Sequence, residues 1–189
     1  MERFEKKLGM LYEKMDIAYD RVCRHYGFEC KGCTDNCCYT LFFHHTNIEY
    51  WYLMTGFLKI DLNKQKEVVK KAVKAVEEIK FIDNNSKRLK NICPLNIDGF
   101  CIIYKYRPMI CRMHGIAHEL QGRQGVVFGS GCDAFTKTAK EKNYLKFDRT
   151  KFYIEMATLE KEFKERYNIS KKFKKTIAQM LTVKRDKLN

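Results

Sequence analysis

Proline is nearly missing from this chain, with two in 189 residues, and glycine is scarce at ten. Long linkers and disordered tracts are rich in one or both, so their scarcity argues against such segments. No stretch approaches the ~18 uninterrupted apolar residues that a membrane-spanning helix requires. The opening MERFEKKLGM carries charges throughout and lacks the apolar core of a signal peptide. A cytoplasmic location is therefore expected. The chain has no internal repeat and no low-complexity tract. A Ser-His-Asp set, a phosphate-binding glycine loop and a dinucleotide fingerprint are also missing, which leaves an ordinary hydrolase, nucleotidase or dehydrogenase without support. Carboxylates are in short supply, 23 against 37 Lys or Arg, for a formal charge of +14 and an isoelectric point of about 9.3. Such an excess favours an anionic partner (nucleic acid, an acidic protein or a lipid surface) without choosing among them.

What is present suits one domain with a real core, residues 1–189: 45% of residues are apolar and 13% aromatic. Helical periodicity dominates both ends. Phe4, Leu8, Leu11, Met15, Ala18 and Val22 form one stripe over residues 2–26, widened by Tyr12, Tyr19 and Tyr26, and Gly27 ends it. Thr46 or Asn47 caps a second helix, Ile48 to Phe57. Asp61 caps a third, Leu62 to Phe81, with Val68, Val69, Ala72, Val73, Val76 and Ile79 inward and lysines over much of the other face. Phe152, Met156, Leu159, Phe163 and Tyr167 mark a later helix, and Phe173, Ile177 and Leu181 a short last one. Between them, residues 91–135 lose the helical period and hold both prolines and most of the glycines. There CIIYKY reads as a short strand, and GIAHEL and GVVFGS, separated by QGRQG, as a hairpin. The expected fold is mainly α, with helices packed around an irregular cysteine-rich metal-binding loop region and at most a small hairpin. Residues 30–132 would form the metal-binding core. Residues 133–189 would be a basic helical tail packed on it, with sixteen Lys or Arg against eight Asp or Glu.

Nine cysteines in a chain expected to meet a reducing compartment point to metal ligation or redox chemistry rather than structural disulfides. Four of them fall within nine positions in CKGCTDNCC, residues 30–38. Cys-x-x-Cys lets two sulfurs converge on one ion from a tight turn, and Gly32 tolerates the backbone angles required. Cys37 and Cys38 are adjacent, and neighbouring side chains in extended chain point to opposite sides. The simplest arrangement sends one sulfur to each of two centres. The other is a single centre, with the remaining thiols structural or redox-active. Cys23 lies beside the apolar stripe of the first helix and reads as a small buried hydrophobe, outside the metal set. That leaves Cys30, Cys33, Cys37, Cys38, Cys93, Cys101, Cys111 and Cys132, eight thiols, or twice the four that complete a zinc site or an iron–sulfur cubane.

CKGCTDNCC, then CPLNIDGFCIIYKYRPMICRMHG, then the Gly-Cys at 131–132 resemble the YkgJ-like cysteine-cluster family of zinc- or iron-chelating domains. The resemblance covers about residues 30–132. It implies those eight cysteines as ligands and places Arg107, Pro108 and Arg112 on the family's R-P-x-x-C-R pattern. A related group, the flagellin lysine N-methylases, is similar in carrying such a cluster, which extends the implied roles to methyl transfer beside redox or accessory ones. Yet no glycine-rich strand-to-helix turn for a methyl donor is present, and Gly129-Ser130-Gly131 reads more simply as a turn into Cys132. The cofactor would be an iron–sulfur cluster or Zn2+, and Cys93-Pro94 leans towards the former. Either centre with four thiolates carries about −2, which Arg107 and Arg112 would offset while donating to sulfur. Pro108 would fix a turn that aims Cys111 inward.

The other candidates carry less. His114 and His118 sit four apart, but Gly115 between them speaks against a helical metal pair. His44 and His45, and the aromatics of EYWYLMTGF, read as packing or surface residues. The lysine-rich tail is either a solvated face or a contact for a polyanion or protein partner. Two functions follow: a cluster-carrying redox, transfer or accessory protein, or a structural-zinc module whose basic surface binds nucleic acid or a protein.

Overall fold

The computed structural model describes residues 1–30, 36–80 and 93–183. Among them seven α-helices and two small antiparallel hairpins form a mainly α fold, as expected. The contacts group into two compact units: residues 1–37 with 109–170, and residues 38–108 with 171–189. The segment after Cys132 is thus shared between the units. The boundary also falls between Cys37 and Cys38.

The first unit is built on α1 (Glu2–Tyr26) and α6 (Thr150–Arg166). The α1 stripe buries Phe4, Leu8, Leu11, Tyr12, Met15 and Val22. It packs on α6, which buries Phe152, Met156, Leu159 and Phe163, and the Phe4 and Phe163 rings meet edge to face at 5.2 Å. Glu2 and Glu5 begin α1 and Arg24 and His25 end it, complementing the helix dipole. Gly27 then turns left-handed at φ 64°, and the N–H of Phe28 returns to the Cys23 carbonyl. Beside this pair lie α4 (Met109–Arg112), a hairpin of β3 (His118–Gly122) and β4 (Gly125–Gly129), and α5 (Asp133–Ala139). The expected hairpin is there, its turn narrowed to Arg123-Gln124 between the paired Gly122 and Gly125.

The second unit holds α2 (Asn47–Phe57), α3 (Leu62–Ile79) and α7 (Ile177–Leu181) around Leu53, Phe57, Val68, Ala72, Leu95 and Met180. Asp61 caps α3, its carboxylate accepting from the N–H groups of Asn63 and Lys64. One expected detail of α3 differs. Val73 is 45% exposed and Ala75 is buried instead, because the seam against α7 follows Val68, Ala72 and Ala75 at helical spacing. The helix runs to Ile79, and the expected end at Phe81 lies outside the described residues. Phe173 is not part of α7. Lys175 exchanges two backbone hydrogen bonds with His44, which holds that stretch extended. The helix therefore starts only after Thr176, whose capping box with Gln179 closes its first turn.

The strand expected over CIIYKY is also corrected. Asp98 and Gly99 both have positive φ, 51° and 86°, and form the turn of a minimal hairpin, β1 (Asn96–Ile97) with β2 (Phe100–Cys101). The chain then tightens into a 3-10 turn, Tyr104–Tyr106. Three-residue periodicity puts Ile103 and Tyr106 on one side. Ile103 is buried, and the Tyr106 ring lies flat on Gly56 of α2. A Cβ at Gly56 would fall 2.3 Å from Tyr106 Cγ, so Gly56→Ala should destabilise the protein by about 2 kcal/mol, read as a lowered urea midpoint. An unchanged midpoint would mean that Tyr106 can move aside freely.

No helix among the described residues is long and apolar enough to cross a membrane.

Candidate metal centre

The second unit contains three of the eight expected ligands, Cys38, Cys93 and Cys101, all half-buried. Its organiser is Asn96, 5% exposed, a residue the sequence analysis passed over. Cys93 donates its N–H to the Cys38 carbonyl at 2.8 Å, and the Cys93 carbonyl accepts from Asn96 N at 2.8 Å. That second bond closes a turn over Cys93-Pro94-Leu95-Asn96, with proline at its second position. Cys-Pro here therefore has a local backbone cause. Asn96 pairs with Cys101 across the β1–β2 ladder. Its side chain spends both ends: Nδ2 donates to Cys38 Sγ at 3.3 Å, and Oδ1 accepts from Gly99 N at 3.1 Å. One buried amide thus ties together the chain segments carrying all three cysteines.

The first unit contains Cys30, Cys37, Cys111 and Cys132; Cys33 lies outside the described residues. Pro108 immediately precedes α4, and Cys111 on that helix is buried, the direction expected of it. Cys132 is buried at the start of α5, where its Sγ accepts the Phe135 N–H at 3.4 Å. Its own N–H donates to the Gly115 carbonyl at 2.9 Å. Both contacting loops need glycine. Gly115 has φ 97°, and a Cβ on it would touch Cys132 Sγ at 3.5 Å; Gly131 has φ 88°, and a Cβ there would sit 2.7 Å from the Gly115 oxygen. Tyr19 fixes the same loop by donating its hydroxyl to the His114 carbonyl at 3.1 Å. Cys23, one turn further along α1, is half-buried beside Tyr19 and feels Cys30. Burial pushes its thiol up to about 11, with the Tyr19 hydroxyl pulling the other way.

The described cysteines are thiols, with no disulfide among them. Among the described residues no group of three or more His, Cys, Asp or Glu closes into an arrangement that could hold a metal ion. The structure thus ties together the segments carrying Cys38, Cys93 and Cys101 in the second unit, and in the first joins the loop after Cys111 to Cys132, without drawing the sulfurs onto a common point.

The two expected arginines have other neighbours. Arg107 stacks on Tyr104, its guanidinium carbon 3.7 Å from the ring centre. Arg112 is 5% exposed, bonds the Asp16 carboxylate at 2.6 Å and lies over the Tyr12 ring. A third arginine, Arg149, is more deeply buried and escaped the sequence analysis, since nothing in its local pattern distinguishes it from a surface cation. His118 opens β3 with Nδ1 at 3.1 Å from the Ile116 carbonyl, and burial, then the Arg149 charge, hold its pKa below the ordinary histidine value. The aromatics of EYWYLMTGF are largely core: Tyr50, Tyr52 and Phe57 are buried.

The fold is that of a mainly α protein, with Cys38 and Cys132 sulfurs held in hydrogen bonds by Asn96 and the Phe135 N–H. No family model, no curated protein and no solved structure matches the chain.

Proposed function

We propose that this chain is a metal-binding cysteine-cluster protein of the YkgJ-like kind, holding Zn2+ or an iron–sulfur cluster through ligands drawn from Cys30, Cys33, Cys37, Cys38, Cys93, Cys101, Cys111 and Cys132. The carrying observation is Asn96: a buried amide aimed at Cys38 Sγ, in the same backbone network that joins Cys93 and Cys101. Donors of this kind orient sulfur ligands and tune the group they hold. The donor set fits such a group, since thiolates suit both metals and no described cysteine is committed to a disulfide. Bound zinc would supply a structural cross-link, and a cluster would supply one-electron transfer. The Cys37–Cys38 pair straddles the boundary between the two units, which favours one sulfur for each of two centres. The reducing environment that thiol ligands need agrees with a cytoplasmic location.

Elemental analysis and a visible spectrum after anaerobic purification test the proposal. Brown protein with several irons per chain identifies a cluster and a redox, transfer or accessory role. Colourless protein with about two zincs identifies structural sites. Protein that contains neither metal, and takes up neither under reducing conditions, overturns it.

A second reading rests on the charge. Lys64, Lys66, Lys70 and Lys74 stand exposed on α3, and Lys151, Lys161 and Lys164 lie on α6, within a chain of net charge +14. If zinc is structural, either basic helix face would bind nucleic acid or an acidic protein, with affinity that falls steeply as salt rises.

A further inference from the structure

The two edges of the β3–β4 hairpin differ. In an antiparallel pair, opposed residues alternate between those that bond each other and those whose N–H and C=O point outward. Glu119 and Gln121 point outward from β3, and the chain covers them. Glu119 N donates to the Phe147 carbonyl and the Glu119 carbonyl accepts from Arg149 N, both at 2.9 Å; Gln121 N donates to Thr150 Oγ1 at 2.8 Å. Phe128 and Val126 lie opposite them in register, so their backbone groups point outward from β4. Among the described residues nothing bonds those groups.

The side chains on this edge are as open as its backbone. Val126, Val127 and Phe128 are 58%, 62% and 58% exposed. Phe128 meets the Tyr144 ring edge-on at 5.3 Å, and Tyr144 is itself exposed. Natural proteins blunt an open strand edge with charge, proline or a bulge. Residues 124–131, QGVVFGSG, hold no charge and no proline, and the ladder from His118–Gly129 to Gly122–Gly125 has no bulge. Such an edge takes up an extended strand.

Charge and register select the strand. An acidic peptide drawn to a chain of net charge +14 finds no Lys or Arg along residues 124–131. Glu119, on the face shared with Phe128, is already paired with Lys146 at 2.9 Å. Two copies of the chain therefore meet here without bringing like charges together. Their strands also match. A two-fold axis through Val127 sets Val126 of each copy against Phe128 of the other, and Val127 against Val127. Every outward donor and acceptor of Val126 and Phe128 then has a partner, and apolar side chains face each other on both sides of the sheet. Shifting the register by two residues would instead oppose Val126 to Ser130, or Phe128 to Gln124.

We propose that the open edge of β4 is a self-association site, at which two copies of this chain join their hairpins into one continuous antiparallel sheet. The pairing closes on itself, because the β3 edge is covered, so association stops at the dimer. A five-residue strand buries well under the ~800 Å² per partner of a standard interface, which makes the dimer weak and concentration-dependent. Nothing in it depends on a metal.

The test follows the full-length, reduced protein by sedimentation from micromolar to millimolar concentration, with amide exchange measured at both ends. The expected result is a monomer–dimer equilibrium with nothing larger. The Val126 and Phe128 amides should exchange fast when dilute and slowly when concentrated, while Val127, bonded to Leu120, stays slow throughout. Val127→Lys sets two ammonium groups against each other at the axis and should weaken the dimer about tenfold or more. Val126→Pro removes an outward N–H without touching the β3 ladder and should also weaken it. Val73→Lys, the same change at an exposed valine of α3, should leave the dimer unaltered. If Val126→Pro does not fold, V127K against V73K decides. A wild type that stays monomeric, or a dimer that V127K does not weaken, overturns the proposal. So does slow exchange of Val126 and Phe128 in the monomer, because another part of the chain would then cover the edge. Slow exchange gained only on adding an acidic extended peptide overturns it too, and makes the occupant a foreign strand.

Discussion

On the metal-binding function proposed above, stripping Zn2+ or a cluster with a strong chelator under reducing conditions should cost the folded protein on the order of 10 kcal/mol, the scale of a structural thiolate site. The loss should be uneven. The seam of α1 on α6 is held by Phe4, Leu8, Met15, Phe152, Met156 and Phe163, all buried and independent of any cysteine. The β1–β2 hairpin has only two residues per strand, too short to stand alone, and relies on the Cys38–Cys93–Asn96 network. The loop from Met113 to Ala117 likewise depends on the Cys132 contact.

Hydrogen exchange before and after chelation would show this directly. Amides of Cys93, Asn96 and Cys132 should lose protection, while those in the middle of α1 and α6 keep most of theirs. Re-addition of zinc or reconstitution of the cluster should restore the slow exchange. If the exchange maps and unfolding curves of native and chelated protein superimpose, the cysteines are ordinary half-buried thiols and the metal proposal fails. If all amides deprotect together, the metal is needed by the whole fold and not by its loops alone.

How much of this could be read in advance depends on the range of the interactions. The α1 stripe, its Gly27 terminus, the Asp61 cap and the β3–β4 hairpin are local features, set by spacing of three and four or by a turn residue at the right place. The Asp98-Gly99 turn was equally local and was overlooked: Asp-Gly is a strong hairpin signal, and it explains why CIIYKY could not extend as a strand. Phe173 misled because an apolar residue four before Ile177 continues a helical pattern. Its ring instead stacks on Tyr50 from an extended segment, a pairing 123 positions away in sequence. The cysteine spacing announced a shared chemistry. The residues that arrange the sulfurs, Asn96 for Cys38 and Tyr19 with Gly115 near Cys132, carry no spacing rule, because they are chosen by tertiary contact. Arg149 is the extreme case. Sixteen basic residues follow Cys132, and only the fold shows which one is buried.

Histidine 44 provides the second large effect, a loss of stability in mild acid that no cysteine is needed to explain. Its side chain is 3% exposed, on the segment that bridges to Lys175. Burial, with a smaller contribution from His45, holds its pKa at about 4 instead of the ordinary 6.5. The folded state thus keeps His44 neutral where the unfolded chain would protonate it. Stability is complete above pH 6.5, falls as the unfolded state takes up its proton, and levels off once the folded state titrates near pH 4. Across that window the protein should lose about 3 kcal/mol through this one group. Urea unfolding at half-unit steps from pH 7 to pH 4 would measure it, with His44→Phe as the comparison. The variant removes the titration, so its stability should decline less steeply by that amount, whatever metal or carboxylates contribute to both proteins. Parallel decline in the two would show that the imidazole is protonated in place, and that the His44–Lys175 bridge tolerates a buried charge.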